Sequence, residues 1–318
     1  MIARLIRPLA FAALALAAGC ATPVFAPDDP GERLMNDVRA LSSDRYQGRA
    51  TGTVGGALAQ AWVQRRMEQA GLQPGPQGWR QTFITRDRAN TEVTGINLVG
   101  VLPGSGGPDA PWIVLSAHYD HVGVRNGQIY NGADDNASGV AATLELTRRF
   151  RERPLRHNLM VLFPDAEELG LRGARHFVAN APVPVENMAL NVNLDMVARG
   201  DNGIYWVVGT YQWPVLRPVI EALPVNAPVT IRFGHDTPQD TGANDWINRA
   251  DQAAFLDAGV PSLFFSVDDH MDYHQPADDP EKIPVDFFVE GVRITEATIR
   301  ALDADPALLA RARAERRR

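Results

Sequence analysis

Cysteine is all but missing from this chain. Its 318 residues hold one, Cys20, which excludes an internal disulfide and any structural zinc knot built on thiolates. Stability has to come from a buried core. Basic charge is also short: 31 Lys and Arg against 38 Asp and Glu leave a net charge of -7, and a nucleic-acid binder needs a basic face that this balance does not supply. Long apolar runs are absent too. The clearest one, residues 9–18, is too short to span a bilayer. There is no internal repeat, and no low-complexity segment apart from a basic end. What remains is ordinary: 45% hydrophobic and 22% charged residues exclude disordered and collagen-like classes, and the length suits one large domain or two small ones.

The first residues read as a targeting segment, Arg4 and Arg7 followed by the apolar run, and take no part in the fold. The run ends in Leu16-Ala17-Ala18-Gly19-Cys20, which resembles a bacterial lipoprotein signal whose cysteine becomes the acylated first residue. Ala17 stands where such signals usually carry leucine, and Leu16 comes one step early. The expectation is a signal peptide over 1–20, a lipid anchor on Cys20 and a periplasmic protein tethered to a membrane. Plain secretion with cleavage after Ala26, giving a soluble protein, is the rival. A Pro/Asp linker over 21–30 follows. At the other end, the basic stretch 306–318 reads as a solvated or frayed tail.

Between these ends the pattern alternates. Apolar spacing predicts helices at 32–41, at 57–69 with Gly71 as a C-cap, at 137–150, 172–179, 213–223 and 285–302. Strand-like runs lie at 81–85, 96–102, 112–117, 159–163, 189–194, 204–208, 229–233 and 262–267. Continuous apolar strands between amphipathic helices imply an α/β fold: a mostly parallel, mixed central sheet covered by helices on both faces.

Open α/β sheets hold their ligands at the carboxyl ends of the strands. There His118 and Asp120 follow one run, Asp165, Glu167 and Glu168 another, Asp195 a third and His274 a fourth; Asp134 and Asp135 precede a helix on the same edge. Taken singly, a His-x-Asp pair is usually a hydrogen-bonded surface histidine, and two glutamates in a row are usually solvated. Their placement after successive strands points instead to a metal. Histidine with carboxylate suits zinc, cobalt or manganese.

Five segments now stand in order: Ala117-His118-Tyr119-Asp120-His121, Gly132-Ala133-Asp134-Asp135-Asn136-Ala137-Ser138-Gly139, Glu167-Glu168-Leu169-Gly170, Asn193-Leu194-Asp195-Met196 and Asp272-Tyr273-His274-Gln275-Pro276-Ala277-Asp278. Together they resemble the zinc-dependent aminopeptidase family that includes glutaminyl cyclases and glutamate carboxypeptidases, as does the leader Leu41-Ser42-Ser43-Asp44 with Gly48-Arg49 and Gly52-Thr53. The resemblance implies a zinc-exopeptidase, phosphorylase/hydrolase-like fold with two divalent ions, zinc foremost. Asp134 would bridge them, His118 and Asp195 completing one site and Glu168 and His274 the other. Glu167 would be the general base. Asp120 would accept from His118 and fix its tautomer. The Asp134-Asp135 peptide is expected to be cis.

By the same resemblance the protein is an exported two-metal exopeptidase that removes N-terminal residues from peptides through a metal-bridging hydroxide. Its nearest rival is a glutaminyl cyclase using one zinc, and a further one is a non-catalytic binding lipoprotein on a peptidase scaffold. Residues 80–97 are too few for the protease-associated insert of some relatives, so 31–305 is expected to form a single catalytic domain. Many relatives read Ser-Asp-His-x-x-Phe where this chain has Ala250-Asp251-Gln252-Ala253-Ala254-Phe255, which bears on substrate contacts. His121 and Tyr273 are cleft candidates, His235 could line the cleft as well, His157 and His176 read as structural or surface, and His270 as solvated.

Overall fold

The computed structural model describes residues 29–317. The signal peptide, Cys20 and all of the linker before Asp29 lie outside the described residues. Helix α1, Pro30–Leu41, starts where the Asp29 side chain accepts from the Gly31 and Glu32 N–H groups, with Pro30 in the first turn. Helix α2 is Val54–Ala70, closed by Gly71 in the left-handed region. There follow β1 (Gln73–Pro74), β2 (Arg80–Arg86), β3 (Glu92–Leu102), β4 (Trp112–Ser116), the small hairpin β5 (Gly123–Arg125) and β6 (Gln128–Tyr130), and α3 (Gly139–Glu152). Next come β7 (Asn158–Phe163), α4 (Arg172–Ala179), β8 (Met188–Leu194), β9 (Ile204–Val208), α5 (Arg217–Glu221), β10 (Thr230–Phe233), α6 (Gln252–Asp257), β11 (Ser262–Ser266), α7 (Val285–Asp303) and α8 (Pro306–Ala314).

Nine strands form one mixed sheet in the order β1-β3-β7-β4-β8-β11-β9-β10, with β2 paired to β3. The central four, β7-β4-β8-β11, run parallel; β3 meets β7 and β9 meets β11 antiparallel. Every residue of β7 is buried, as a central strand covered on both faces requires. Its side chains alternate between two cores. Leu159, Val161 and Phe163 face the layer containing α1, α3 and α7, whereas Met160 and Leu162 face Phe177 of α4 and Phe255 of α6.

Helix α3 sets the position of the loop before it, and a charge network fixes α3. The Glu145 carboxylate, fully buried, receives Arg33 at 2.7 Å, Arg149 at 3.0 Å and Arg148 at 3.1 Å. Burial alone would raise its pKa, but the hydrogen bonds from Arg33 and Arg149 outweigh it and hold the group below the ordinary glutamate range. The stability it contributes is therefore present above the unfolded-state value of about 4.3 and lost as pH falls through the lower folded one. Glu145→Gln is expected to cost about 3 kcal/mol at pH 7, and thermal unfolding should show the gap to wild type narrowing at pH 4.

Two sequence expectations fail for local reasons. The helix expected at 213–223 contracts to α5, because Pro214 and Pro218 carry no N–H to continue a helix upstream. The expected basic tail is helix α8 over most of its length: Asp305 caps it, Leu308, Leu309 and Ala312 are buried, and Arg313 donates to the Val185 and Met188 carbonyls. Interleaved arginines had hidden a short apolar stripe.

Candidate metal centre

The parallel strands bring the chemistry to one edge. His118 follows β4, Glu167 and Glu168 follow β7, Asp195 follows β8, and His274 lies in the loop beyond β11. Because β7 and β8 flank β4 on opposite sides, a crevice opens at the carboxyl end of β4. Asp135 reaches it from the irregular turn Ala133–Ser138, where the backbone of Asp135 and Asn136 leaves helical values. Ala166, Met196 and His274 all have positive φ, an uncommon backbone for such residues that recurs around functional sites.

Asp135 is the shared member of two groups. Its Oδ1 lies 3.4 Å from His118 Nε2, which lies 3.3 Å from Asp195 Oδ1. Its Oδ2 lies 3.1 Å from His274 Nε2 and 3.7 Å from His121 Nδ1. Glu168 Oε1 closes the second group at 2.9 Å from His121 and 3.0 Å from His274. Within each group, the ligand atoms are all within 4.8 Å of one another. Four ligands about 2.0–2.1 Å from a zinc ion stand roughly 3.3 Å apart, so the separations suit an ion. The second group adds a sharper sign: both ring nitrogens of His121 and Glu168 Oε1 are buried without a correctly angled hydrogen bond, although 2.9 Å separates Nδ1 from Oε1. Polar atoms buried in that way call for a partner, and a cation is the one that fits.

This geometry corrects the expected ligand set by one residue. Asp134 does not join either group. Its Oδ1 accepts from the Ala198 N–H at 2.8 Å and its Oδ2 faces His270 Nε2 at 3.3 Å. The cis peptide likewise falls at Asp135-Asn136, not Asp134-Asp135. Two adjacent aspartates cannot be told apart by spacing; only the turn geometry does so. His121, expected to line the cleft, stands among the candidate ligands, and its place three residues beyond His118 on the loop after a strand was the available signal. His270, expected in solvent, has a side chain only 4% exposed.

Asp120 also differs from expectation. His118 Nδ1 donates to the main-chain carbonyl of Asp120 at 3.1 Å, while the carboxylate is 3.7 Å away. That carboxylate instead accepts from the Glu167 N–H at 3.0 Å and the Glu168 N–H at 3.3 Å. Asp120 thus orients His118 through its backbone and the two glutamates through its side chain. Gln252, in place of the relatives' histidine, is fully buried: it accepts from Asn193 and donates to the Trp246 and Ile247 carbonyls. It holds the cleft wall and does not line it. His157 is buried against Asp303, and His176 stacks on Phe83.

Electrostatics separate the two glutamates. Burial raises Glu167 well above the ordinary range and the nearby Asp195 and Asp251 add to this, with His118 opposing. Burial also acts on Glu168, but His121 and His274 override it and hold the carboxyl down to about 2. Burial thus favours the neutral form of Glu167, while the two histidines keep Glu168 ionised. Asp251, buried with neither oxygen hydrogen-bonded, is pushed up to about 8, chiefly by burial.

The centre opens into a cleft that His118, Asp135, Glu167, Asp195 and His274 all line. Met196, Trp246, Phe264 and Val267 supply an apolar wall, and Tyr273 lines it beside His274, their rings stacked at 4.0 Å. At the rim Arg249 pairs with Asp269 at 3.1 Å. His235 lies behind the wall, stacked on Trp246 at 3.9 Å.

Comparison with known proteins bears on the fold and the family. The BOS complex subunit ncln of Danio rerio is 36% identical over 118 residues, 33% of this chain and 20% of its own. Aminopeptidase YwaD of Bacillus subtilis is 27% identical over 210 residues, 62% of this chain and 42% of its own. The chain spans less than half the length of either. Among solved structures, Bacteroides thetaiotaomicron glutaminyl cyclase bound to N-acetylhistamine superposes with a TM-score of 0.68 at 17% identity, covering 85% of this chain and 97% of that one. BSAP, a zinc aminopeptidase from Bacillus subtilis, does so with a TM-score of 0.67 at 16% identity, covering 85% and 94%. Both share the mixed α/β fold. Residues 97–296 match the model of Peptidase family M28, a span that runs from β3 into α7 and includes each of the candidate ligands, and the chain belongs to that family.

Proposed function

We propose that the protein is an exopeptidase that uses two divalent ions, zinc foremost, to remove N-terminal residues from peptides. The observation that carries this reading is the shared Asp135, one oxygen turned to each group of ligand atoms. His118 and Asp195 would hold one ion, and Glu168, His274 and His121 the other. Bound there, two ions would activate a water and polarise the scissile carbonyl. Glu167, on the cleft surface and with its pKa raised by burial, takes the proton from the attacking water and delivers it to the leaving amine. Asp120 keeps Glu167 in place through its N–H. The apolar wall of Met196, Trp246 and Phe264 receives the side chain of the first residue, and the Asp269 carboxylate at the rim meets a free α-amino group.

Residues 31–305 would make up the catalytic domain. The basic start with its short apolar run supports export, with Cys20 as a lipid anchor facing the periplasm. The described part has no helix long and apolar enough to cross a membrane. The cyclase alternative needs one zinc only, and the intact pair His118 and Asp195 favours the two-ion reading. A panel of aminoacyl anilides assayed beside their N-acetylated forms tests the specificity. Cleavage confined to free amines is expected, with apolar first residues preferred; equal cleavage of blocked substrates, or cyclisation of N-terminal glutamine without anilide hydrolysis, overturns it.

A further inference from the structure

The turn carrying Asp135 has no regular structure of its own, and two buried charges grip it from opposite sides. Arg49 ends the turn Asp44–Arg49 and is 1% exposed. Its guanidinium donates from Nε to the Tyr119 carbonyl at 2.9 Å, from one terminal nitrogen to Leu41 at 3.1 Å and to Asn131, and from the other to Gly132 at 3.0 Å and, more weakly, to Asp135 at 3.4 Å. All five donors therefore end on carbonyl oxygens. No carboxylate among the described residues pairs with it directly.

Asp278 does the reverse. Fully buried, it accepts from the Asp134 N–H at 3.0 and 3.1 Å and from the Asp135 N–H at 3.0 Å, while its carbonyl accepts from Ala133. The connections matter more than the count. Tyr119 follows His118, so Arg49 joins the His118 segment to the Asp135 turn; Asp278 lies four residues past His274, so it joins the His274 segment to the same turn.

We infer that Arg49 and Asp278 are positioning residues that hold the shared Asp135 between the two ligand groups, fixing the distance between the ions. This rests on the two-ion reading. A hydrocarbon core would anchor the turn less well: five carbonyls converge on one point, and only a planar five-donor fork satisfies them together. The buried positive charge also offsets the surrounding carboxylates of Asp135, Asp278, Asp120 and Glu168. Gly48 makes the arrangement possible. At φ +67° it sits against the β5–β6 hairpin, where a Cβ would lie 2.5 Å from the carbonyl oxygens of Gly123 and Tyr130, so no side chain can intervene between hairpin and turn.

The test is metal affinity. Zn²⁺ is titrated against a chromophoric chelator, and Co²⁺ absorption reports the ligand field, on wild type, Arg49→Met, Arg49→Lys and Asp278→Asn. The remote variant Leu308→Ala, in the buried face of α8, serves as a control for lowered stability. Both ions should bind about 10- to 100-fold more weakly in Arg49→Met, with a smaller loss in Arg49→Lys, whose ammonium reaches fewer carbonyls. Asp278→Asn, which keeps one acceptor oxygen, should lose about tenfold and carries the test if Arg49→Met does not fold. Wild-type affinity for both ions in a folded variant, with melting lowered as in Leu308→Ala, overturns the inference while leaving the two-ion reading intact. A wild type that takes up no metal overturns both.

Discussion

On the proposed two-ion reading, Asp135→Asn is expected to strip both ions from the protein and reduce kcat/KM by roughly 10³-fold or more, because the ions would supply several kcal/mol of transition-state stabilisation. Asp134→Asn should do far less. The two residues are neighbours with the same side chain, yet only Asp135 presents an oxygen to each ligand group. Asp134 spends one oxygen on the Ala198 N–H, a bond that the asparagine carbonyl can still accept, so a loss of about tenfold or less in metal affinity is expected. Metal analysis of the purified variants checks this directly. The reverse ranking would restore the register that the family resemblance implied and contradict the structure.

The second large effect belongs to Glu167. Glu167→Gln should lower kcat by on the order of 10² to 10⁴ while leaving metal content and KM near wild type. The carboxylate stands in no ligand group, lines the cleft and has its pKa raised by burial, Asp195 and Asp251, which are the properties of a base that acts on water. Glutamine keeps the shape and removes the proton acceptor. A variant that lost metal together with activity would place Glu167 among the ligands instead.

How far the sequence led depends on the kind of signal. Strands β4, β7, β8 and β11 were legible because a parallel strand buried on both faces is largely apolar, and the residue that follows such a run, such as His118 or Asp195, was legible for the same reason. Turns gave less. Nothing in Gly132-Ala133-Asp134-Asp135-Asn136 says which aspartate faces the crevice, since the answer lies in a non-helical turn fixed by Arg49 and Asp278 from distant segments. His121 was undervalued for a related reason: the loop after β4 brings a second histidine back onto Glu168, a closure that linear spacing does not reveal. Gln252 stood out as a departure from relatives, and its meaning appeared only once it was seen tying Trp246 to β8.

Titration of the metal-free protein with Zn²⁺, followed by calorimetry and by the rate of leucyl anilide hydrolysis on the same samples, tests the central claim most directly. The account predicts two equivalents bound per chain, with the rate reaching its maximum as the second is taken up, and neither equivalent retained by Asp135→Asn. Saturation at one equivalent with full activity, or undiminished binding by Asp135→Asn, would contradict it.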